Sequence, residues 1–271
     1  MLVTIVTPSY NQGGYIEDTI QSVINQTYND IEYIILDACS SDNTRNILEK
    51  YKDHPRVSRI IIEKDKGQAD AIDKGFRLGR GDIMGWINSD DKLHERIVER
   101  SVQAFRTNPK LGMTFGDIEY FDDHNNILWT KKSIAGFNFE YLLNKWFYVN
   151  QQGSFYSRQA LEEIGFLDTS LHYCMDLDLW LKILSKYEAA YLACIAASFR
   201  RHDACKTVTG DFKFLLEINR TLARHGAGFL SPNKRRVYWR IMKVLVKKIL
   251  PHEYRSRSKF IYLWRDRTTD C

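Results

Sequence analysis

Residues 82–91 read Asp82-Ile83-Met84-Gly85-Trp86-Ile87-Asn88-Ser89-Asp90-Asp91, an apolar run that empties into a polar loop ending in two adjacent acids. The run has the length and composition of a buried strand. Neighbouring carboxylates behind such a strand repel one another unless a cation or a proton relieves them. Hard divalent ions such as Mg2+ and Mn2+ take a few carboxylates together with substrate phosphate oxygens. Asp90 and Asp91 therefore suggest a metal site shared with a diphosphate. Taken alone the pair reads as a solvated acidic turn, and it is the place of the pair in the chain that favours the metal.

That place becomes clear on moving toward the N-terminus. Three further strand-like runs precede it, at 2–7, 31–36 and 57–62. Between them lie helical patterns: Ile16, Ile20, Val23 and Thr27; a segment from the caps Ser40-Ser41-Asp42 to about Lys52; and Ala69, Ile72, Phe76 and Gly79. Val98, Val102 and Phe105 follow as a fourth helix. Repeated strand–helix units predict an α/β fold with a mostly parallel sheet flanked by helices. In such sheets ligands bind beyond the carboxyl ends of the strands. The polar clusters at 7–11, 37–44, 63–70 and 88–91 all fall there, which predicts one shared site.

Toward the C-terminus the pattern loosens. Residues 114–122 and 127–131 read as strands around a turn at His124-Asn125-Asn126, with 139–145 helical and 153–157 and 187–195 as further strands. Asp176 opens a helix whose apolar side includes Trp180, Ile183 and Leu184. An acid among Met175, Leu177 and Trp180 is partly desolvated, which raises its pKa and suits it to accept a proton from a hydroxyl. The plain alternative is that Asp176 and Asp178 cap the helix. Asp37, at a strand tip, is open to the same two readings, nucleoside contact or capping. His202, in a loop with Arg200, Arg201 and Lys206, reads as a metal or phosphate group or as an ordinary surface histidine. A helix is expected over 212–222, ended by Gly226 or Gly228.

Composition bounds these readings. The chain has 271 residues, 44% hydrophobic and 27% charged, enough for one large α/β domain with an appendage. No apolar run reaches the ~18 residues of a membrane span, and no basic segment precedes the first apolar run, so no secretory signal is expected. Cys39, Cys174, Cys194, Cys205 and Cys271 show no paired spacing, which predicts reduced thiols and a cytoplasmic location. The net charge of +5 is uneven. Residues 232–271 hold 12 Lys/Arg against 3 Asp/Glu, a net of +9, so the remainder carries −4. From Pro232, Arg236, Arg240, Lys243 and Lys247 fall on one helical face and Tyr238, Ile241, Leu245 and Ile249 on another. This tail suits either an anionic membrane surface at the inner face of the cell membrane or packing on the main domain. No nucleic-acid module accompanies the charge.

Five segments, in order, resemble those of family 2 glycosyltransferases of the GT-A fold. They are Thr7-Pro8-Ser9-Tyr10-Asn11; Leu36-Asp37-Ala38-Cys39-Ser40-Ser41-Asp42-Asn43-Thr44; Lys66-Gly67-Gln68-Ala69-Asp70-Ala71; Trp86-Ile87-Asn88-Ser89-Asp90-Asp91; and Met175-Asp176-Leu177-Asp178-Leu179-Trp180. The resemblance covers about residues 1–210. It implies a GT-A domain over 1–210, with a nucleotide half at 1–105 and an acceptor half at 106–210, and a helical extension over 211–271. By the resemblance, Thr7, Pro8, Tyr10, Asn11, Asp37, Asp70, Asn88 and Asp90 would hold a nucleotide-sugar donor, UDP by preference. Asp90, Asp91 and His202 would hold Mn2+ or Mg2+, and Arg200 and Lys206 would neutralise the departing diphosphate. Asp176 would be the base, and Gln151, Gln152 and Trp180 would lie near a glycan or lipid-linked acceptor. The implied reaction is an inverting transfer in cell-surface polysaccharide synthesis. Two positions depart from the family pattern: Ala38 replaces its second Asp after the second strand, and Asn88 replaces the first Asp of DxD. Those departures keep a rival open, a non-catalytic nucleotide-sugar-binding protein. A dinucleotide oxidoreductase is disfavoured because no GxGxxG follows the first strand.

Overall fold

The computed structural model describes residues 1–145, 150–202 and 211–249. Three β/α units and a fourth strand open the chain. They are β1 (Val3–Ser9), α1 (Ile16–Ile24), β2 (Ile31–Asp37), α2 (Thr44–Tyr51), β3 (Val57–Ile62), α3 (Gln68–Leu78) and β4 (Ile83–Trp86). These strands pair in parallel in the order β3-β2-β1-β4. Beyond β4 the sheet continues through β8 (Phe155–Ser157), β6 (Leu111–Phe121), β9 (Glu188–Arg200) and β5 (Lys92–Leu93), with β7 (Ile127–Lys131) also on β6. The β4–β8, β6–β8, β6–β7 and β5–β9 pairs are antiparallel, so the second half turns the sheet into a mixed one. Both halves expected from the sequence share this sheet.

Side-chain alternation on the strands builds two cores, one on each face. Val3 and Ile5 of β1 and Tyr33 and Ile35 of β2 face α1, α2 and α4 (Ile97–Thr107). Val6, Ile34 and Leu36 face α3, α7 (Met175–Leu184), α8 (Asp211–Arg224) and α9 (Pro232–Ile249). The backbone allows close approach where it must: a Cβ on Gly81 would stand 2.4 Å from Thr4 N, so only glycine fits between α3 and β4.

Several boundaries differ from expectation. Helix α1 ends at Ile24, leaving Thr27 outside. Strand β9 runs on to Arg200, because its C-terminal half pairs with β6 and β5. The two-residue β5 and the helix α6 (Arg158–Ile164) were not legible as elements. Helix α9 packs on the domain: Val237 is buried, with Ile241 and Val244 against the same core. Its inner side is thus not the Tyr238/Leu245 face expected from spacing, and Leu245 is exposed. Lys247, Ile249 and everything beyond lie outside the side chains described, as does Lys206.

Candidate active site

The loops after β1 and β2 are stitched together. Asn11 N donates to Ser40 Oγ (2.7 Å) and Asn11 Oδ1 accepts from Ser41 N (2.9 Å). Gln12 N donates to Thr44 Oγ1 and Gly13 N to Asp42 Oδ2. Asp37 accepts from Ser40 N (2.8 Å) and Ser40 Oγ (2.5 Å) and is 1% exposed, so its carboxylate ties the turn that follows β2. Thr7 is buried and its Oγ1 accepts from Tyr33 Oη at 2.9 Å. Pro8 is also buried, whereas Tyr10 projects into solvent. Asp70, half-buried in the first turn of α3, accepts from Lys66 N.

The loop after β4 is the best-braced point of this end of the sheet. Asp91 is 1% exposed, and its carboxylate accepts from Arg200 N (3.0 Å), Gln152 Nε2 (3.0 Å) and Asn88 Nδ2 (3.1 Å). Burial pushes its pKa well up, and the charge of Asp90 adds to this. Asn88 in turn accepts from Gln68 Nε2 at 2.7 Å, bridging α3 to Asp91. An acid in place of Asn88 could not donate to Asp91 and would add a second buried charge, which gives the departure from DxD a physical reason. Gln151 Nε2 donates to the Trp86 carbonyl (2.8 Å). Both glutamines are buried and brace this loop from behind.

Asp90 is different. It stays partly open, and His202 Nε2 lies 3.0 Å from its Oδ2. The hydrogen bond to Asp90 holds the His202 pKa above its ordinary value. Tyr15 packs on the imidazole, ring centroids 5.0 Å apart. Arg200 holds the arrangement from beneath: its Nε donates to the Asp90 carbonyl, its Nη2 to Asp18 (2.6 Å), and its guanidinium lies over Phe121 and Tyr15. It is buried and clamps these groups together. Asp91 anchors the clamp through its bond from Arg200 N. Asp90 is the more open of the two acids, its side chain 23% exposed, while that of its partner His202 is 9% exposed. Among the described residues, no group of three or more His, Cys, Asp or Glu side chains could hold a metal.

Asp176 lies in the first turn of α7, half-buried, with Oδ1 accepting from Leu177 N (2.7 Å). Burial pushes its pKa from 3.8 to about 6. Its charge reaches the buried Tyr156 hydroxyl, and the Tyr156 ring stacks on Trp86 at 5.5 Å. Helix α7 is thus tied to the strand that carries the Asp90 loop. Trp180 belongs to that tie: it is buried and its Nε1 donates to Tyr156 Oη (3.0 Å). Asp178 pairs with Lys182 (2.7 Å) and His225 (2.8 Å).

Glu217 of α8 gave no signal in the sequence. Its carboxylate accepts from the backbone N–H groups of His172, Tyr173 (2.6 Å) and Cys174 (2.7 Å), which lead into α7. Glu217, 43 residues from Cys174, thus fixes the backbone that leads into the helix. Glu217→Ala is expected to cost about 2 kcal/mol by urea unfolding. Glu217→Gln, which keeps an acceptor, recovers most of it; equal losses in both would refute this role.

Residues 4–165 match the family model "Glycosyl transferase family 2". Over 103 residues the chain is 39% identical to the putative teichuronic acid biosynthesis glycosyltransferase TuaG of Bacillus subtilis, covering 38% of this chain and 41% of that protein. It is 38% identical over 128 residues to the chondroitin synthase of Escherichia coli, 47% of this chain and 18% of that one. The chain therefore spans less than half the length of these relatives. Among solved structures it resembles S. aureus TarS 1-349 in complex with UDP-GlcNAc, with a TM-score of 0.65 at 13% identity over 90% of this chain and 72% of that one. It also resembles the mannosyltransferase PcManGT of Pyrobaculum calidifontis in complex with GDP-Man and Mn2+, with a TM-score of 0.63 at 16% identity over 90% and 73%. At these identities the likeness establishes the Rossmann-like GT-A fold.

Proposed function

The chain belongs to glycosyltransferase family 2, and from that premise we propose that it transfers a sugar, with inversion, from a nucleoside diphosphate donor to a hydroxyl of a glycan or lipid-linked acceptor in polysaccharide synthesis. A UDP-sugar is the favoured donor. The observation that carries the reading is the meeting of Asp90 with His202, 112 residues apart, at the carboxyl end of β4.

An oxygen and an imidazole nitrogen, both partly open, form a donor set that suits Mn2+. Asp90 and His202 would hold the ion, and donor phosphates and water would supply the other ligands. Bound there, the ion would offset the negative charge that gathers on the diphosphate as it departs. Asp176 takes the proton of the attacking hydroxyl, and its raised pKa brings its basicity toward that of a neutral-pH base. A phosphate leaving group needs no proton, so one carboxylate suffices; a hydrolase would need two carboxyl groups flanking the bond. Attack from the face opposite the diphosphate inverts the anomeric centre. Asp91, Asn88, Gln152 and Arg200 keep the Asp90 loop fixed, which lowers the reorganisation needed in the transition state.

Incubation with UDP- and GDP-sugars, Mn2+ and a panel of glycan and lipid-linked acceptors is expected to release nucleoside diphosphate in step with product. The new linkage should have the opposite anomeric configuration, read by proton coupling constants. Tight donor binding with no release from any pair would leave the non-catalytic binding protein standing.

A further inference from the structure

Helix α9 turns two apolar sides in opposite directions. The inner one carries Val237, Ile241 and Val244 into the core, and Asn233 Nδ2 locks it by donating to the carbonyls of Leu142 (2.7 Å) and Leu143 (3.2 Å) in α5 (Phe139–Asn144). The outer one shows Trp239 (63% exposed), Met242 (53%) and Val246 (47%), spaced three and four residues apart and so on one stripe. Phe229 and Leu230, in the turn just before the helix, are more than 70% exposed, and the Phe229 ring packs on Tyr238 at 5.1 Å. Apolar side chains of this size, gathered this closely, are not the scattered single residues of an ordinary surface.

Their surroundings are basic. Residues 232–249 hold seven Lys/Arg and no acid. Arg235 is exposed beside the stripe, and Lys243 Nζ stands 5.2 Å from the Trp239 ring centroid. A second copy is a poor occupant. A two-fold contact would bring the same patch against itself, placing two acid-free basic helices together with no carboxylate from either to offset them. An anionic bilayer matches both features: headgroups complement the cations, and Trp, Phe, Leu and Met side chains enter the interfacial layer. Among the described residues no helix is long and apolar enough to cross a membrane, so the contact would lie on the surface.

We propose that the outer face of α9, together with Phe229 and Leu230, is a docking surface for an anionic lipid bilayer. This goes beyond sugar transfer and stands on the surface alone. It fits a lipid-linked acceptor, because α9 is bolted to α5 of the same domain that carries the Asp90 loop.

The full chain is to be sedimented with vesicles of phosphatidylglycerol and phosphatidylcholine, and with phosphatidylcholine alone, at low and high salt. Binding is expected to the anionic vesicles at least tenfold above the zwitterionic ones and to weaken with salt. The variant Trp239→Ala/Met242→Glu/Val246→Glu should lose at least tenfold in partitioning with unchanged melting and unchanged Mn2+-supported UDP binding. Phe229→Ser/Leu230→Ser tests the same face from outside the helix should the triple variant fail to fold. Wild-type chain that ignores anionic vesicles would overturn the proposal. So would variants that bind them undiminished, which would leave the cations or the residues beyond 249 as the agents. A wild-type dimer that the variants split on sizing would assign the face to a second copy instead, and equal retention on polyuridylate, insensitive to the apolar changes, would assign it to nucleic acid.

Discussion

Asp176→Asn is expected to bind UDP with Mn2+ as the parent does, yet to lose about 10²–10⁴-fold of its turnover. The amide occupies the same space and can still accept from Leu177 N, so the start of α7 should hold its shape. What it cannot do is take a proton. The parent's turnover should rise with pH through about 6, where Asp176 ionises, and that limb should vanish in the variant. Stability should move the other way. Burial raises the carboxyl from 3.8 to about 6 in the folded chain, so the native state prefers it protonated. Its contribution is present below about pH 4 and is lost as pH rises through 6. Asp176→Asn removes that loss, so its melting temperature should exceed the parent's at pH 8 and by less at pH 4. A site that gains stability when its acid is neutralised is one held ready for chemistry against the preference of the fold. Turnover within threefold of the parent, or a variant less stable at pH 8, would remove Asp176 from the base role.

Much of this was readable from local pattern, and the reason is topological. In the first four strands each β/α unit carries its own periodicity, and the polar clusters at their tips lie within a few residues of the strands that position them. The turn at Asp122–Asn126 was legible for the same reason, since Asp122 accepts from the backbone of His124 and Asn126 within one hairpin. What stayed hidden depends on partners far along the chain. Lys92–Leu93 becomes a strand only because Ser198 and Ala197 lie opposite it. Arg200 looked like a surface cation in a basic loop, but β9 carries it inward onto Asp18, Asp90 and Asp91. Glu217 looks like any acid on a helix until α8 meets the segment before α7. Which acids at the strand tips are open and which are sealed is not legible in sequence, because burial decides it. Asp90 and Asp91 are adjacent and chemically alike, yet one is partly open and the other is sealed.

That contrast is open to direct test. Asp90→Ala should reduce Mn2+-supported UDP affinity by about 10²-fold, since loss of groups that merely orient a metal ligand already costs 10–100-fold. Its urea midpoint should fall less than that of Asp91→Ala, because the change takes away one partner, His202, while it removes a charge that opposes Asp91. His202→Ala should weaken the same binding, again only when Mn2+ is present. Asp91→Ala should behave in the opposite order. It strands the Arg200 N–H and the Asn88 and Gln152 amides without an acceptor in a buried pocket, at a cost of about 3 kcal/mol or more. Its binding defect should follow that loss of order and appear with EDTA as well as with Mn2+. Calorimetric titration of UDP in both conditions, beside urea unfolding, separates the two. If Asp91→Ala is as stable as the parent and loses only the metal-dependent part of binding, then the sealed carboxylate is the ligand and the Asp90–His202 pair is not. The division of labour matters for the chemistry, because a ligand that must also carry the fold cannot adjust as the diphosphate leaves. On this proposal the fixed acid holds the loop and its neighbour would be the one to meet the ion.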